Sequence, residues 1–137
     1  MTESLKPHLL VVEDEAVIAS LLTDVFPAGG YRVSVFHRVD EALVAARIYD
    51  DFAICLSDFM LPDRTGLDLV RALKELRPGL RVLLASAFLE TEIEEQVRAE
   101  SNVVAILRKP LDIFALVARV DALIGRSLPP KAQEATC

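Results

Sequence analysis

Five short apolar runs, each followed by a longer stretch with helical spacing, limit what this chain can fold into more than any other feature. The runs are residues 8–12, 31–36, 52–56, 81–85 and 103–107. Most are continuous in Val, Leu and Ile, the pattern of strands covered on both faces. After the first, residues 15–26 carry Ile18, Leu21, Leu22 and Val25 at helical spacing until Pro27, Gly29 and Gly30 stop them. Residues 40–49 repeat the pattern with Ala42, Leu43, Ala46 and Tyr49, starting at Val39 and Asp40. Further helices are predicted over 67–76, ending before Pro78 and Gly79, and over 91–100. Asp112 caps a fifth that reaches about Ile124, with Gly125 behind it as a stop.

Five strands alternating with five helices call for an α/β fold with a parallel sheet and helices on both faces. Right-handed crossovers leave few topologies, and a doubly wound five-stranded parallel sheet fits best. The expected strand order is 2-1-3-4-5, the flavodoxin-like (βα)5 arrangement. At 137 residues the chain fits one domain with one real core. Hydrophobic residues at 53% and charged residues at 26% argue against disorder. The net charge of -6 sets the chain against nucleic acid phosphates, so no direct nucleic acid binding by this segment is expected. No apolar run reaches the roughly 18 to 20 residues needed to span a bilayer, and the first residues lack the apolar core of a signal peptide. A cytoplasmic protein without membrane contact is expected. Cys55, inside an apolar run, and Cys137, the last residue, do not make a disulfide framework or a metal cluster. Cys55 reads as a small buried hydrophobe.

In an open parallel sheet, ligands bind beyond the carboxyl ends of the strands. Glu13 and Asp14 follow the first run, Asp58 the third, Ser86 the fourth, and Lys109 with Pro110 the fifth. Phe36 and His37, after the second, look inert. Three carboxylates crowded together raise one another's pKa values and need a positive partner. A hard divalent cation answers that need, and Mg²⁺ typically takes one or two carboxylates plus phosphate oxygens. No His–Cys cluster for zinc is present. Lys109 adds a fixed cation and Ser86 a hydroxyl donor. Around one free carboxylate, these describe a site for a phosphoryl group. Asp58, alone at the end of a central strand, is the candidate nucleophile, and attack by its oxygen on a phosphoryl donor gives an aspartyl phosphate. Each feature alone has a bland reading, as a solvated helix start, a turn residue or a surface break. Their weight comes from falling on four strand ends that converge in space.

These residues resemble the receiver domain of two-component response regulators, of the chemotaxis-regulator-like kind, over about residues 7–125. The matching stretches are 10–15 (Leu10, Val11, Val12, Glu13, Asp14, Glu15), 57–66 around Asp58, 84–87 around Ser86, and Arg108, Lys109 and Pro110. The resemblance implies a phosphoacceptor signalling switch rather than an enzyme. It implies that Asp58 takes a phosphoryl group from a sensor histidine kinase or a histidine phosphotransfer protein, and that the domain slowly removes it again. It implies Mg²⁺ held by Asp14, Asp58 and the backbone carbonyl of Met60, with Glu13 acting through a water. Lys109 is then expected to pair with the phosphoryl oxygens, the Ser86 hydroxyl to move to meet them, and the Lys109–Pro110 bond to be cis. Pro62 and Gly66 are expected to shape the loop after Asp58, Gly66 by a backbone conformation that other residues resist.

The chain divides accordingly into an N-terminal extension at 1–6, a receiver domain at 7–125, and a C-terminal tail or start of a linker at 126–137, where Pro129 and Pro130 fall. A monomer or weak homodimer is expected, and the downstream target or fused output domain is not readable. One position departs from the family, which commonly carries an aromatic residue three before the lysine. Ile106 stands there, and it either changes the signal on the face built from the fourth helix, fifth strand and fifth helix, or simply packs. Met60 and Phe88 flank the path of attacking water and are expected to slow phosphoryl loss.

Three other functions fit less well. A phosphatase of the haloacid-dehalogenase type needs a second Asp two residues after the nucleophile, where Met60 stands. A flavin-binding electron carrier needs a hydroxyl- and glycine-rich loop after the first strand, where Glu13, Asp14 and Glu15 would repel phosphate. A docking module without the chemistry would have lost Asp58 or an acidic partner, and neither is missing.

Overall fold

A computed structural model describes residues 6–125. The strands are β1 (His8–Val12), β2 (Arg32–Phe36), β3 (Phe52–Asp58), β4 (Arg81–Ser86) and β5 (Val103–Arg108). The helices are α1 (Ala16–Ala28), α2 (Val39–Ile48), α3 (Gly66–Leu76), α4 (Thr91–Ala99) and α5 (Ile113–Ile124). All strand pairs are parallel, in the order β2-β1-β3-β4-β5. This is the doubly wound α/β sheet expected from the sequence. The extension at 1–6, apart from Lys6, and the tail at 126–137, with Pro129, Pro130 and Cys137, lie outside the described residues.

Alternation along each strand splits the core in two. Leu10, Val12, Cys55, Val82 and Leu84 point to the face covered by α2, α3 and α4, where Leu43, Leu69, Leu73 and Val97 meet them. Leu9, Val11, Ile54, Leu56 and Leu83 point to the other face, against Leu22 and Phe26 of α1 and Leu116 and Val120 of α5. Each fully buried Leu, Ile or Val contributes about 1.5–3 kcal/mol of transfer free energy, so both faces hold the sheet. The burial of Cys55 is complete and pushes its thiol pKa up. It is the small buried hydrophobe expected.

Several boundaries differ from the sequence reading. α1 runs past Pro27 to Ala28. Pro27 gives up its own N–H bond in the last turn, but Gly29 still donates to the carbonyls of Val25 at 3.1 Å and Phe26 at 3.0 Å. Leu21 faces outward while Phe26, left out of the predicted apolar face, is fully buried. Tyr49 closes α2 from outside and is half exposed, with its ring edge-on to His8 and Phe52. β3 takes in Ser57 and Asp58, which pair with Leu84 and Ala85 of β4. Asp58 is therefore held inside the ladder, not in the loop beyond it.

Gly66 corrects the expectation about its backbone. Among the described glycines, only Gly30 and Gly125 have positive φ. Gly66 is needed for space, because a Cβ there would lie 2.7 Å from Leu84 Cδ2 and 3.0 Å from the Asp58 carbonyl oxygen. Its N–H donates to the Phe59 carbonyl at 2.6 Å, which folds the loop back on the strand end. Thr65 and Asp68 then start α3 with a reciprocal capping box.

The same loop also caps another helix. The Asp63 carboxylate accepts from the Val39 N–H at 2.9 Å and the Asp40 N–H at 3.0 Å, at the start of α2. Burial works to raise its pKa, but the backbone donors of Val39, Asp40 and Asp63 itself, with the charge of Arg38, together outweigh it and hold the group down at about 2. A depressed carboxylate adds stability that is complete above its unfolded pKa, ordinarily 3.8, and is lost as pH falls toward the folded value. Asp63→Ala is expected to cost about 1 kcal/mol at neutral pH. In urea denaturation the gap between the variant and the parent should narrow as pH drops below 4. A gap that stays constant would assign the effect to packing instead.

Candidate functional site

Strand register brings the chemistry together. Val12 pairs with Ser57, Asp58 with Ala85, and Ser86 with Arg108. Glu13, Asp58, Ser86 and Lys109 therefore emerge side by side at the carboxyl edge of four adjacent strands. Glu13 and Asp58 are buried, at 3% and 7% exposure, while Asp14 is exposed. Carboxylate oxygens of Glu13, Asp14 and Asp58 all lie within 4.8 Å of one another. A cluster this tight, with two of its three carboxylates buried, can hold a divalent cation through oxygen ligands.

Lys109 balances part of the charge. Its Nζ donates to Asp58 Oδ2 at 2.9 Å and to Glu15 Oε1 at 3.2 Å, and lies 3.9 Å from Glu13 Oε1. Burial works against its charge, but the carboxylates around it win and raise its pKa. The Lys109–Pro110 bond is cis, as expected. Glu13 is less well compensated. Burial is the main cause that lifts its pKa from 4.5 to about 7, and the charge of Asp58 adds to it. The Glu15 N–H, donating to Glu13 Oε2 at 3.2 Å, and the charge of Lys109 oppose the rise.

Ser86 reaches the same place with its hydroxyl turned away. Its Oγ donates to the Phe88 carbonyl at 3.0 Å. A cavity of about 320 Å³ opens above Asp58, lined by Glu15, Met60, Ser86, Phe88 and Lys109. Met60 and Phe88 stand at its mouth with 65% and 71% of their surface exposed. The Met60 N–H points at Asp58 Oδ1 over a long 3.4 Å. Ile106 is partly buried against the core face that carries Leu84.

Two contributors were missed in the sequence. His37, read as inert, bonds through Nδ1 to the Glu13 carbonyl at 2.8 Å, and the Glu13 N–H donates to the Phe36 carbonyl at 2.9 Å. Together they pin the loop that carries the acidic pair. Glu15 was visible only as part of a motif, and its contact with Lys109 spans 94 residues of sequence. The available signal was its place at the start of a helix, one residue past the acidic pair.

Residues 9–121 match the family described as response regulator receiver domain. The chain belongs to that family.

This receiver domain is 31% identical over 126 residues to the DNA-binding transcriptional regulator NtrC of Azospirillum brasilense, an alignment covering 90% of this chain and 25% of the relative. It superposes on a CheY-like receiver domain protein from Methanospirillum hungatei with a TM-score of 0.82, at 22% identity over 88% of this chain and 94% of the other. It also superposes, with a TM-score of 0.74 and 26% identity, on a response regulator from Burkholderia pseudomallei. There the match covers 96% of this chain and 71% of the other, which holds a phosphorylated aspartic acid, a calcium ion and citrate. The chain spans between a quarter and about half the length of the curated relatives it matches first. Membership places it in two-component signalling. Among the described residues, no helix is long and apolar enough to cross a membrane.

The raised pKa of Glu13 has a measurable sign. Between 4.5 and about 7 the folded receiver domain keeps a proton that the unfolded chain gives up. Stability of the metal-free protein therefore falls as pH rises through that window, by at most about 1.4 kcal/mol per pH unit. Urea denaturation at several pH values should show this slope in the parent protein and lose it in Glu13→Gln. An unchanged slope in the variant would place the titrating group elsewhere.

Proposed function

We propose that this receiver domain is a switch set by a phosphoryl group on Asp58. The observation that carries the reading is Lys109 Nζ at 2.9 Å from Asp58 Oδ2, within a carboxylate cluster that floors an open cavity. The proposed donor is a phosphohistidine of a sensor histidine kinase or a histidine phosphotransfer protein. An Asp58 oxygen attacks phosphorus, the P–N bond breaks, and its electron pair leaves with the imidazole nitrogen. Lys109 turns from the carboxylate to the new phosphoryl oxygens, and the Ser86 hydroxyl leaves the Phe88 carbonyl to donate to one of them. Slow hydrolysis by water returns Asp58, so the activity is self-directed and the protein is a switch rather than an enzyme.

The acidic cluster fits a hard divalent cation, and Mg²⁺ is the proposed one. Asp14, Asp58 and the Met60 carbonyl would hold it, with Glu13 acting through a water. Mg²⁺ would supply neutralisation of the charge on the phosphoryl oxygens. The phosphorylated aspartic acid and calcium ion of the Burkholderia relative support this reading. We extend it to the chain as a receiver domain at 7–125, with an N-terminal extension at 1–6 and a tail or linker at 126–137. It is cytoplasmic, monomeric or weakly dimeric, and does not itself bind nucleic acid. The output is a downstream protein target or a fused domain.

Incubation with Mg²⁺ and acetyl phosphate, read by intact mass, should add one phosphoryl group. The addition should vanish in Asp58→Asn and without Mg²⁺. No addition, with a cognate kinase also tried, would leave a docking module without phosphoryl chemistry. Met60 and Phe88 shield the cavity from water, so the phosphoryl lifetime should shorten several-fold in Met60→Glu and in Phe88→Ala. Lifetimes equal to the parent's in both variants would remove the shielding role.

A further inference from the structure

Glu15 occupies the cap position of α1 without using its side chain as a cap. The carboxylate is instead turned across the strand ends to Lys109 Nζ at 3.2 Å. The ammonium is thus bridged by two carboxylates in unlike settings. Asp58, with its side chain 8% exposed, lies on the buried side, and Glu15, 57% exposed, lies on the solvent side. Glu15 also lines the cavity above Asp58. A phosphoryl donor entering that cavity meets a negative charge already paired with the cation it needs. It must displace Glu15 from Lys109 and then stay beside an uncompensated carboxylate.

We propose that Glu15 is a specificity-determining residue, a charge gate that disfavours small dianionic phosphoryl donors relative to donors whose phosphoryl sits on an imidazole. The inference rests on Asp58 being the acceptor. With acetyl phosphate, Asp58 attacks phosphorus, the P–O bond to the acyl group breaks, and the pair leaves on acetate. The donor brings about two negative charges past Glu15. With phosphoimidazole, the P–N bond breaks and the pair returns to the ring nitrogen, which leaves as neutral imidazole when the other nitrogen carries a proton. That ring proton cancels one charge during approach and gives Glu15 a donor to face. Repulsion between charges a few ångströms apart at a half-exposed rim is partly screened, so the effect should be moderate and sensitive to salt.

The test compares second-order rate constants for phosphorylation by acetyl phosphate and by phosphoimidazole, with Mg²⁺ saturating for each variant as checked by calorimetric titration. Glu15→Gln keeps the shape and removes the charge. It should speed acetyl phosphate by about three- to ten-fold and phosphoimidazole by less than two-fold, so that the donor ratio shifts. The shift should shrink in about 1 M salt, and Glu15→Asp, which keeps the charge, should retain the parent's ratio. A ratio unmoved by Glu15→Gln, or equal acceleration of both donors, overturns the gate while leaving Asp58 as the acceptor. A parent protein that accepts from neither donor overturns both.

Discussion

The site depends on one ion pair, Lys109 to Asp58. Parallel strands in register deliver Glu13 and Asp58 to neighbouring positions at the same sheet edge, and each is almost wholly withdrawn from water. Two such carboxylates cannot both stay charged without a cation close by. Lys109 supplies one charge, and it is shared among Asp58, Glu15 and Glu13. Glu13, buried first of all and then crowded by the charge of Asp58, has its pKa lifted to about 7. Below that pH a proton on Glu13 does part of what a divalent cation in the cluster would do, which is to cancel a buried negative charge. The residues that leave the folded chain short of positive charge are the same ones that would hold the proposed cation.

Much of this was legible in the sequence because parallel sheets write themselves plainly. A strand buried on both faces must be apolar throughout, so its last apolar residue marks where chemistry can begin. Glu13, Asp14, Asp58, Ser86 and Lys109 were found in this way, and the ladder brings them together. The less legible parts depend on side-chain direction across long separations. Asp63 caps a helix that begins 24 residues earlier in the chain, and nothing local distinguishes it from an ordinary turn aspartate. His37 supports a carbonyl on the neighbouring strand's loop, and only the pairing of β1 with β2 reveals it. Gly66 was recognised as necessary for the wrong reason. Sequence suggests unusual φ wherever a glycine follows a turn, whereas packing against Leu84 and the Asp58 carbonyl is what excludes a side chain.

That packing ties the site to the fold. The loop after Asp58 is closed by the Gly66 N–H to Phe59 and bridged between Met60 and Thr65, while Asp63 holds it to α2. Asp58 therefore sits on a strand braced on one side by β1, on the other by β4, and beyond its end by a tethered loop. A side chain held this way keeps little orientational freedom, which suits the in-line transfer proposed for Asp58. The β4–α4 side is anchored differently. Ser86 ends its strand with a hydroxyl bonded to the Phe88 carbonyl, and Phe88 itself is exposed.

This asymmetry decides where a change at the site can travel. If the Ser86 hydroxyl turns inward, the Phe88 carbonyl loses its donor and the loop before α4 is freed. α4 is nine residues long, and of these only Val97 is buried, so it is held by less apolar contact than α3, with four buried apolar side chains. Segments with few buried contacts open at the lowest free-energy cost. Ile106 on β5 is packed against the same face and has no ring to exchange between core and solvent. A rearrangement that started at Ser86 would therefore spread through the β4–α4 loop into α4 at lower cost than into α3.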